Sequence, residues 1–357
     1  MKFEDVLEIK NGRNQRAVEN PKGIYPIYGS GGVMGYANDY ICDAQTVIIG
    51  RKGNINNPLF VEEPFWNVDT AFGLSANRDV LLPRYLFYFC KKFDFERLNK
   101  TVTIPSLTKS DLLEIEINLP DLEKQQDVVD QLVKIEQIIT LRKRELECLD
   151  NLIKARFVEL FGDPTTNTKG WEIEKAEKHI DLLSGFPFDS SHYTECGIKI
   201  CGGLIIMPQR IDWDSCKYWS SIEGFEEYTL RENDIVMALD RPWISEGFKV
   251  AMVDEDELPA LLIQRTARIR AVDINQHYLM YCFILGGFDN HCNVTGSLVP
   301  HISAKDIRSF PIMLPSIELQ EQFAAFVAQT NKSKAAIQKS LDETQLLFDS
   351  LMQEYFG

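Results

Sequence analysis

Leu119-Pro120-Asp121-Leu122-Glu123-Lys124-Gln125 opens a stretch that runs to Phe161-Gly162, and Leu314-Pro315-Ser316-Ile317-Glu318-Leu319-Gln320 opens a second that runs to Phe356-Gly357. The two align without a gap at an offset of 195 residues. Glu123 and Gln125 meet Glu318 and Gln320, Leu146 and Leu152 meet Leu341 and Leu347, and Glu159 meets Glu354. The offset continues upstream, pairing Pro105 with Pro300, Asp111 with Asp306 and Ile117 with Ile312. Helical periodicity alone would repeat leucines. It would not repeat a Leu-Pro entry and a Phe-Gly exit at one spacing. The chain reads as a tandem duplication.

Each aligned stretch has the pattern of one long helix. In the first, Val128, Leu132, Ile135, Ile139, Arg142, Leu146, Leu149, Ile153, Arg156 and Leu160 alternate steps of four and three. That is a coiled-coil seam interrupted by two arginines. In the second, Phe323, Val327, Thr330, Lys334, Ile337, Leu341, Thr344, Phe348, Leu351 and Tyr355 hold the seam. The polar positions of one fall on apolar positions of the other, which predicts that the two helices pair within the chain. About 39 residues at 1.5 Å each give a rod of about 58 Å. Gly162 closes the first helix, and Asp163-Pro164 bars its continuation.

The globular parts repeat with more drift. Ile24-Tyr25-Pro26-Ile27 answers Ile198-Lys199-Ile200, and Tyr85-Leu86-Phe87-Tyr88 answers Tyr278-Leu279-Met280-Tyr281. Thr46-Val47-Ile48-Ile49 and Ile235-Val236-Met237-Ala238 read as strands between turns. The fold class is α+β, with irregular, mostly antiparallel sheets at 1–118 and 164–313 and long helices at 119–163 and 314–357.

With 45% hydrophobic residues in 357, the chain can bury two ordinary cores. No apolar run reaches the length of a membrane span, and the first residues lack the pattern of a signal peptide. The eight cysteines are scattered singly, as expected of reduced thiols in a cytoplasmic protein. The net charge of −15 argues at first against nucleic acid. It is unevenly spread: residues 1–118 carry −1 and residues 164–313 carry −8.

Near-motifs for chemistry fail on inspection. Asn57-Pro58-Leu59-Phe60 and Asp240-Arg241-Pro242-Trp243 approach the Asn/Asp-Pro-Pro-aromatic loop of adenine methyltransferases, but each lacks the second proline in place. Neither accompanies a strand–glycine loop–helix unit for a cofactor. Gly29-Ser30-Gly31-Gly32 lacks the ending of a phosphate loop and reads as a turn between strands, with close approach to DNA as the alternative. The five histidines, His179, His192, His277, His291 and His301, show no metal spacing.

The sequence resembles the specificity subunits of type I restriction-modification systems. The resemblance rests on residues Tyr25 to Tyr36, on Val47-Ile48-Ile49-Gly50-Arg51-Lys52-Gly53, on Phe65-Trp66, on Ile104-Pro105-Ser106-Leu107 and on the helix start at Leu119. It continues more loosely through Leu183-Ser184-Gly185, Gln264-Arg265-Thr266-Ala267-Arg268 and the final helix. It implies two target-recognition domains set apart by an antiparallel pair of long helices. Each domain would read one half of a split sequence in double-stranded DNA, and the helices would set the gap. A rod of about 58 Å suits two readers roughly one DNA turn, 34–36 Å, apart. Such a subunit has no catalysis of its own. It joins two methyltransferase subunits, which bind S-adenosylmethionine and methylate adenine, and restriction/translocase subunits complete the complex.

Base reading needs Arg, Lys, Asn, Gln and small polar groups on projecting loops. The candidates in the first domain are Arg51, Lys52, Asn54, Asn56, Asn57, Lys100, Thr101, Thr103, Ser106 and Lys109. In the second they are Lys217, Arg241, Trp243, Arg265, Asn293, Ser297 and His301. Each has the plain alternative of a solvated surface residue. For the whole chain the alternatives are the recognition subunit of a related methylation-based phage-defence system, a non-DNA coiled-coil scaffold, or a methyltransferase or nuclease in its own right.

Overall fold

The run Thr46–Gly50 is buried at every position, the pattern of a central strand. In the computed structural model, which describes residues 1–100, 104–292 and 301–357, it lies inside a four-stranded antiparallel sheet. Two compact units share the chain. Unit 1 comprises Met1–Glu145 with Ile337–Gly357, and unit 2 comprises Leu146–Ala336.

Unit 1 begins with α1 (Phe3–Val6) and β1 (Leu7–Asn11), then β2 (Tyr25–Gly29), β3 (Gly32–Ala37), β4 (Thr46–Gly50), β5 (Leu59–Val61), β6 (Trp66–Asn67) and β7 (Ala71–Ala76). Helices α2 (Pro83–Lys92) and α3 (Lys109–Leu113) precede α4 (Leu122–Phe161). The main sheet runs β1-β7-β4-β5, and a smaller sheet runs β3-β2-β6 with β2 and β6 parallel.

Unit 2 contains β8 (Ile173–Lys175), β9 (Ile180–Ser184), β10 (Ile198–Cys201), β11 (Ile206–Met207), β12 (Arg210–Ile211) and β13 (Lys217–Trp219). Then come β14 (Ile235–Ala238), β15 (Trp243–Ile244), β16 (Gly247–Phe248), β17 (Val250–Met252), β18 (Ala260–Leu262) and β19 (Thr266–Ala271). Helices α5 (Gln276–Leu285), α6 (Phe288–His291) and α7 (Ala304–Ser309), strand β20 (Pro311–Met313) and helix α8 (Ile317–Phe356) complete the order. The main sheet runs β9-β19-β14-β17, and a smaller one runs β13-β10-β18 with β10 and β18 parallel.

Strand for strand, the second arrangement repeats the first. Even the close approaches recur. A Cβ added at Gly12 would sit 1.8 Å from the Val68 carbonyl oxygen, and one at Gly185 would sit 1.9 Å from that of Ile263. Glycine is needed at both because main chain occupies the space a side chain would take.

Helices α4 and α8 are each shared between the units. In unit 1, Gln131 meets Tyr355 (3.0 Å) and the Arg142 guanidinium donates to the Ser340 carbonyl and to Thr344 Oγ1 (2.8 Å), so the two stretches run antiparallel. Leu132, Ile135 and Ile139 of α4 and Leu341, Phe348 and Met352 of α8 are buried along this pairing. In unit 2, Lys334 pairs with Asp150 (2.5 Å) and Phe157 meets Phe323 (5.4 Å between ring centres), again antiparallel. The seam departs from the sequence pattern near its end. Phe157 and Phe161 are fully buried, whereas Arg156 and Leu160 are half-buried. A straight helix turns every 3.6 residues rather than 3.5, so its buried face drifts, here toward α5. Gly162 ends α4 at φ +81°, its N–H donating to the Val158 carbonyl (2.8 Å).

Each helix entry is fixed by a buried glutamine. Gln125 Oε1 accepts from the Leu82 N–H (2.9 Å), and its Nε2 donates to the carbonyls of Val80 and Pro120 (both 2.9 Å). Gln320 repeats this, accepting from the Asn275 N–H (2.8 Å) and donating to the Pro315 carbonyl (2.9 Å). Among the described residues, no helix is long and apolar enough to cross a membrane.

Candidate nucleic-acid interface

In each unit the central strand of the main sheet runs out into a turn, and a later segment of the chain closes against that turn. In unit 1, β4 leads into Arg51-Lys52-Gly53. The Leu107 N–H donates to the Arg51 carbonyl (3.0 Å), the Gly53 N–H donates to the Pro105 carbonyl (2.9 Å), and Lys52 and Ser106 form an antiparallel bridge. In unit 2, β14 leads into Leu239-Asp240-Arg241. The Ile302 N–H donates to the Leu239 carbonyl (2.8 Å), and Asp240 bridges His301. Lys52 and Ser106 thus occupy the places of Asp240 and His301. Gly53 and Arg241 also correspond, and both have positive φ, +79° and +45°. The β2–β3 turn, Gly29-Ser30-Gly31, corresponds to Gly202-Gly203-Leu204 and packs beside the same strand end. A Cβ on Gly50 would lie 3.0 Å from Ser30 Cβ, and one on Gly203 would lie 3.7 Å from Ala238 Cβ.

The candidates of unit 1 divide by what they touch. Arg51 and Lys52 are exposed, with the Arg51 guanidinium 5.8 Å from the Phe72 ring centre. Asn54 and Asn57 are exposed on the same loop. Asn56 is tied into the fold, accepting from the Phe95 N–H (2.7 Å) and donating to Asp94 (2.9 Å). Lys109 donates to the Ile9 carbonyl (2.7 Å), and Lys100 pairs with Asp111 (2.7 Å). Ser106 is half-buried, its N–H donating to Asn99 Oδ1 (3.2 Å). Thr101 and Thr103 lie outside the described residues.

In unit 2 the structure brings Lys217, Arg241, Arg265 and His301 together around one cleft of about 870 Å³. Asp240 sits between two of them, accepting from Arg265 (2.6 Å) and meeting His301 Nδ1 (2.6 Å). Partial burial works against the Asp240 charge, but the His301 and Arg265 hydrogen bonds outweigh it and hold the carboxyl below the usual carboxylate range. Arg265 also has positive φ, +65°. Two non-glycine residues in this strained region, each costing about 1–3 kcal/mol, border one cleft. Trp243 is half-buried and stacks on Phe248 (5.2 Å), outside the cleft lining. Asn293 and Ser297 lie outside the described residues.

Asp240, Lys249 and Leu204 also line the cleft and were not among the sequence candidates. Asp240 was visible only as part of a failed methyltransferase motif. Lys249, 6% exposed, donates its ammonium to the Gly203 carbonyl, and burial pulls it below the usual lysine range. Leu204 passes for a core leucine in the sequence yet is 90% exposed. Aligning residues 47–51 with 235–239 would have pointed to Asp240, in the place of Lys52; no sequence signal marks the other two. Among the described residues, no cluster of three or more His, Cys, Asp or Glu could hold a metal ion.

A twice-repeated sheet-and-turn head, each seated on an antiparallel helix pair, defines a duplicated two-unit architecture. Residues 1–151 match the family described as type I restriction modification DNA specificity domain. The chain is 24% identical over 302 residues to the type I restriction enzyme MjaVIII specificity subunit of Methanocaldococcus jannaschii, covering 79% of this chain and 68% of that protein. It is 32% identical over 193 residues to the EcoAI specificity subunit of Escherichia coli, covering 51% of this chain and 33% of that one. In fold it is similar to the crystal structure of the type I S subunit from M. genitalium, with a TM-score of 0.66 at 15% identity over all of this chain and 95% of that one. A structure of the type I restriction-modification system matches at a TM-score of 0.56 and 17% identity, covering all of this chain and 96% of that chain. Residues 1–151 thus match the type I specificity domain, and the whole chain is similar in fold to the solved S subunit.

Proposed function

We propose that the chain is the DNA sequence-recognition subunit of a type I restriction-modification assembly. Each unit reads one half of a bipartite target in double-stranded DNA. The helix pair sets the gap and docks two methyltransferase subunits, which carry S-adenosylmethionine. Restriction/translocase subunits join through the complex. The chain itself performs no chemistry, and the assembly works in the cytoplasm. The observation that carries this reading is the repetition of one head with different chemistry at equivalent places: Lys52 and Ser106 in one, Asp240 and His301 in the other. A shared scaffold with unlike tips is what two different half-sites require. The acidic balance of residues 164–313 is met by gathering Lys217, Arg241, Arg265 and Lys249 at one cleft.

The test is to co-express the chain with the methyltransferase encoded beside it and to map methylated adenines across a genome. The expected result is a bipartite motif with a fixed gap of several base pairs. Methylation without sequence preference would sink the proposal and favour a plain scaffold.

Asp240 offers a sharper check. As an ionised carboxylate it accepts from an exocyclic amino group such as cytosine N4, whereas asparagine favours adenine. Asp240→Asn is expected to change the motif at one position of one half-site, to leave the other half-site intact and to steepen the salt dependence of binding. An unchanged motif would show that this carboxylate reads nothing.

A further inference from the structure

We infer that Leu204 is a wedge that inserts between stacked base pairs of the second half-site and kinks the duplex there. The inference rests on the DNA-reading role proposed above. Leu204 is 90% exposed, the highest value among the exposed large hydrophobic residues described. It borders the cleft that also gathers Lys217, Arg241 and Arg265.

The turn beneath it is braced from several sides. Ile205 and Ile206, which follow it, are 5% and 0% exposed. Their N–H groups donate to the Gly202 carbonyl at 3.1 and 3.3 Å. The buried Lys249 ammonium donates to the carbonyl of Gly203, the residue immediately before Leu204. A charge so withdrawn from water is costly unless it is bonded, so its bond to that carbonyl fixes the turn.

A rigid tip carrying one bare apolar side chain among cations suits a duplex. The cations take phosphates, and the leucine replaces base stacking with its own surface. Apolar wedges of this kind partly unstack a base step and bend DNA so that more of it meets the protein. The equivalent residue of unit 1 is Gly31, which has no side chain to insert. The wedge therefore belongs to one half-site, and the other serves as an internal control.

The experiment uses the chain in complex with its methyltransferase subunits. The probes are duplexes of the mapped motif with 2-aminopurine placed at successive steps of each half-site, avoiding the methylated adenines. Wild type is expected to raise fluorescence several-fold at one step of the second half-site and to bend the duplex in a permuted-fragment gel shift. Leu204→Gly, the residue found in unit 1, is expected to lose both signals and about tenfold in affinity for the specific site. Leu204→Met is expected to keep them. Leu204→Ser gives the same loss without glycine's backbone freedom, which separates the side chain from the turn. The first half-site is expected to show no such signal in any variant. A wild-type complex that still methylates its motif but gives no signal in the second half-site would overturn the wedge, as would a signal that survives in Leu204→Gly and Leu204→Ser. A complex whose methylation map shows no sequence preference would overturn the DNA-reading role, and the wedge with it.

Discussion

Phe157→Ala is expected to lower the stability of unit 2 by about 3–5 kcal/mol. Phe157 is fully buried. It stacks on Tyr278 (5.7 Å, 9° between planes) and meets Phe161 (4.9 Å) and Phe323 (5.4 Å) edge-on. Those partners come from α5, α4 and α8, so one truncation loosens three elements at once. Tyr278 also donates its hydroxyl to the Met313 carbonyl (2.9 Å), so the ring cannot swing into the vacated space without breaking that bond. Urea unfolding followed by tryptophan fluorescence checks this, because Trp171 donates to the Phe161 carbonyl (2.8 Å) and reports on the same corner. Val158→Ala, at a position 47% exposed, is the control and should stay within about 0.5 kcal/mol of wild type. A loss under about 1 kcal/mol for Phe157→Ala would mean that the rings do not form one packed corner.

Exchanging residues 1–118 for those of another specificity subunit is expected to replace one half of the methylated motif entirely. The other half and the gap should persist. The structure states the condition for success. Tyr85 meets Phe356 (4.9 Å), Tyr88 donates to Glu136 (2.7 Å), and Gln125 ties the helix entry to Leu82. An incoming head must keep those tyrosines and the Leu82 backbone geometry to seat on α4 and α8. Methylation mapping of the chimera decides the matter. If both halves of the motif changed, or the gap changed, the units would not be independent readers.

The helices were legible because an ungapped repeat carries its own check. Gln125 and Gln320 were visible as matched residues, but their role was not, since their partners Leu82 and Asn275 lie 43 and 45 residues away. The end of the seam was misread for a geometric reason: heptad spacing selects Arg156 and Leu160, while the true helical pitch buries Phe157 and Phe161. At the candidate interface, residue type was enough to find Arg241, Arg265 and His301, which do share a cleft. It was not enough to tell Arg51 and Lys52, which face solvent, from Asn56 and Lys109, which bond the fold. That distinction depends on strand ends brought together by long-range pairing. Asp240 meets His301 across 61 residues, a separation that no local pattern reports.

The division of the two long helices also has a consequence for how the protein is made. Unit 2 is one continuous stretch, whereas unit 1 needs residues 337–357 to complete its helix pair. On a ribosome, the first head emerges early and then waits while about 190 more residues are added, roughly 10–40 s at ordinary elongation rates. Through that interval Ile135 and Ile139 of α4 have not yet met Phe348 and Met352. The half synthesised first is the half that closes last, and its uncovered helix is the surface a chaperone would meet.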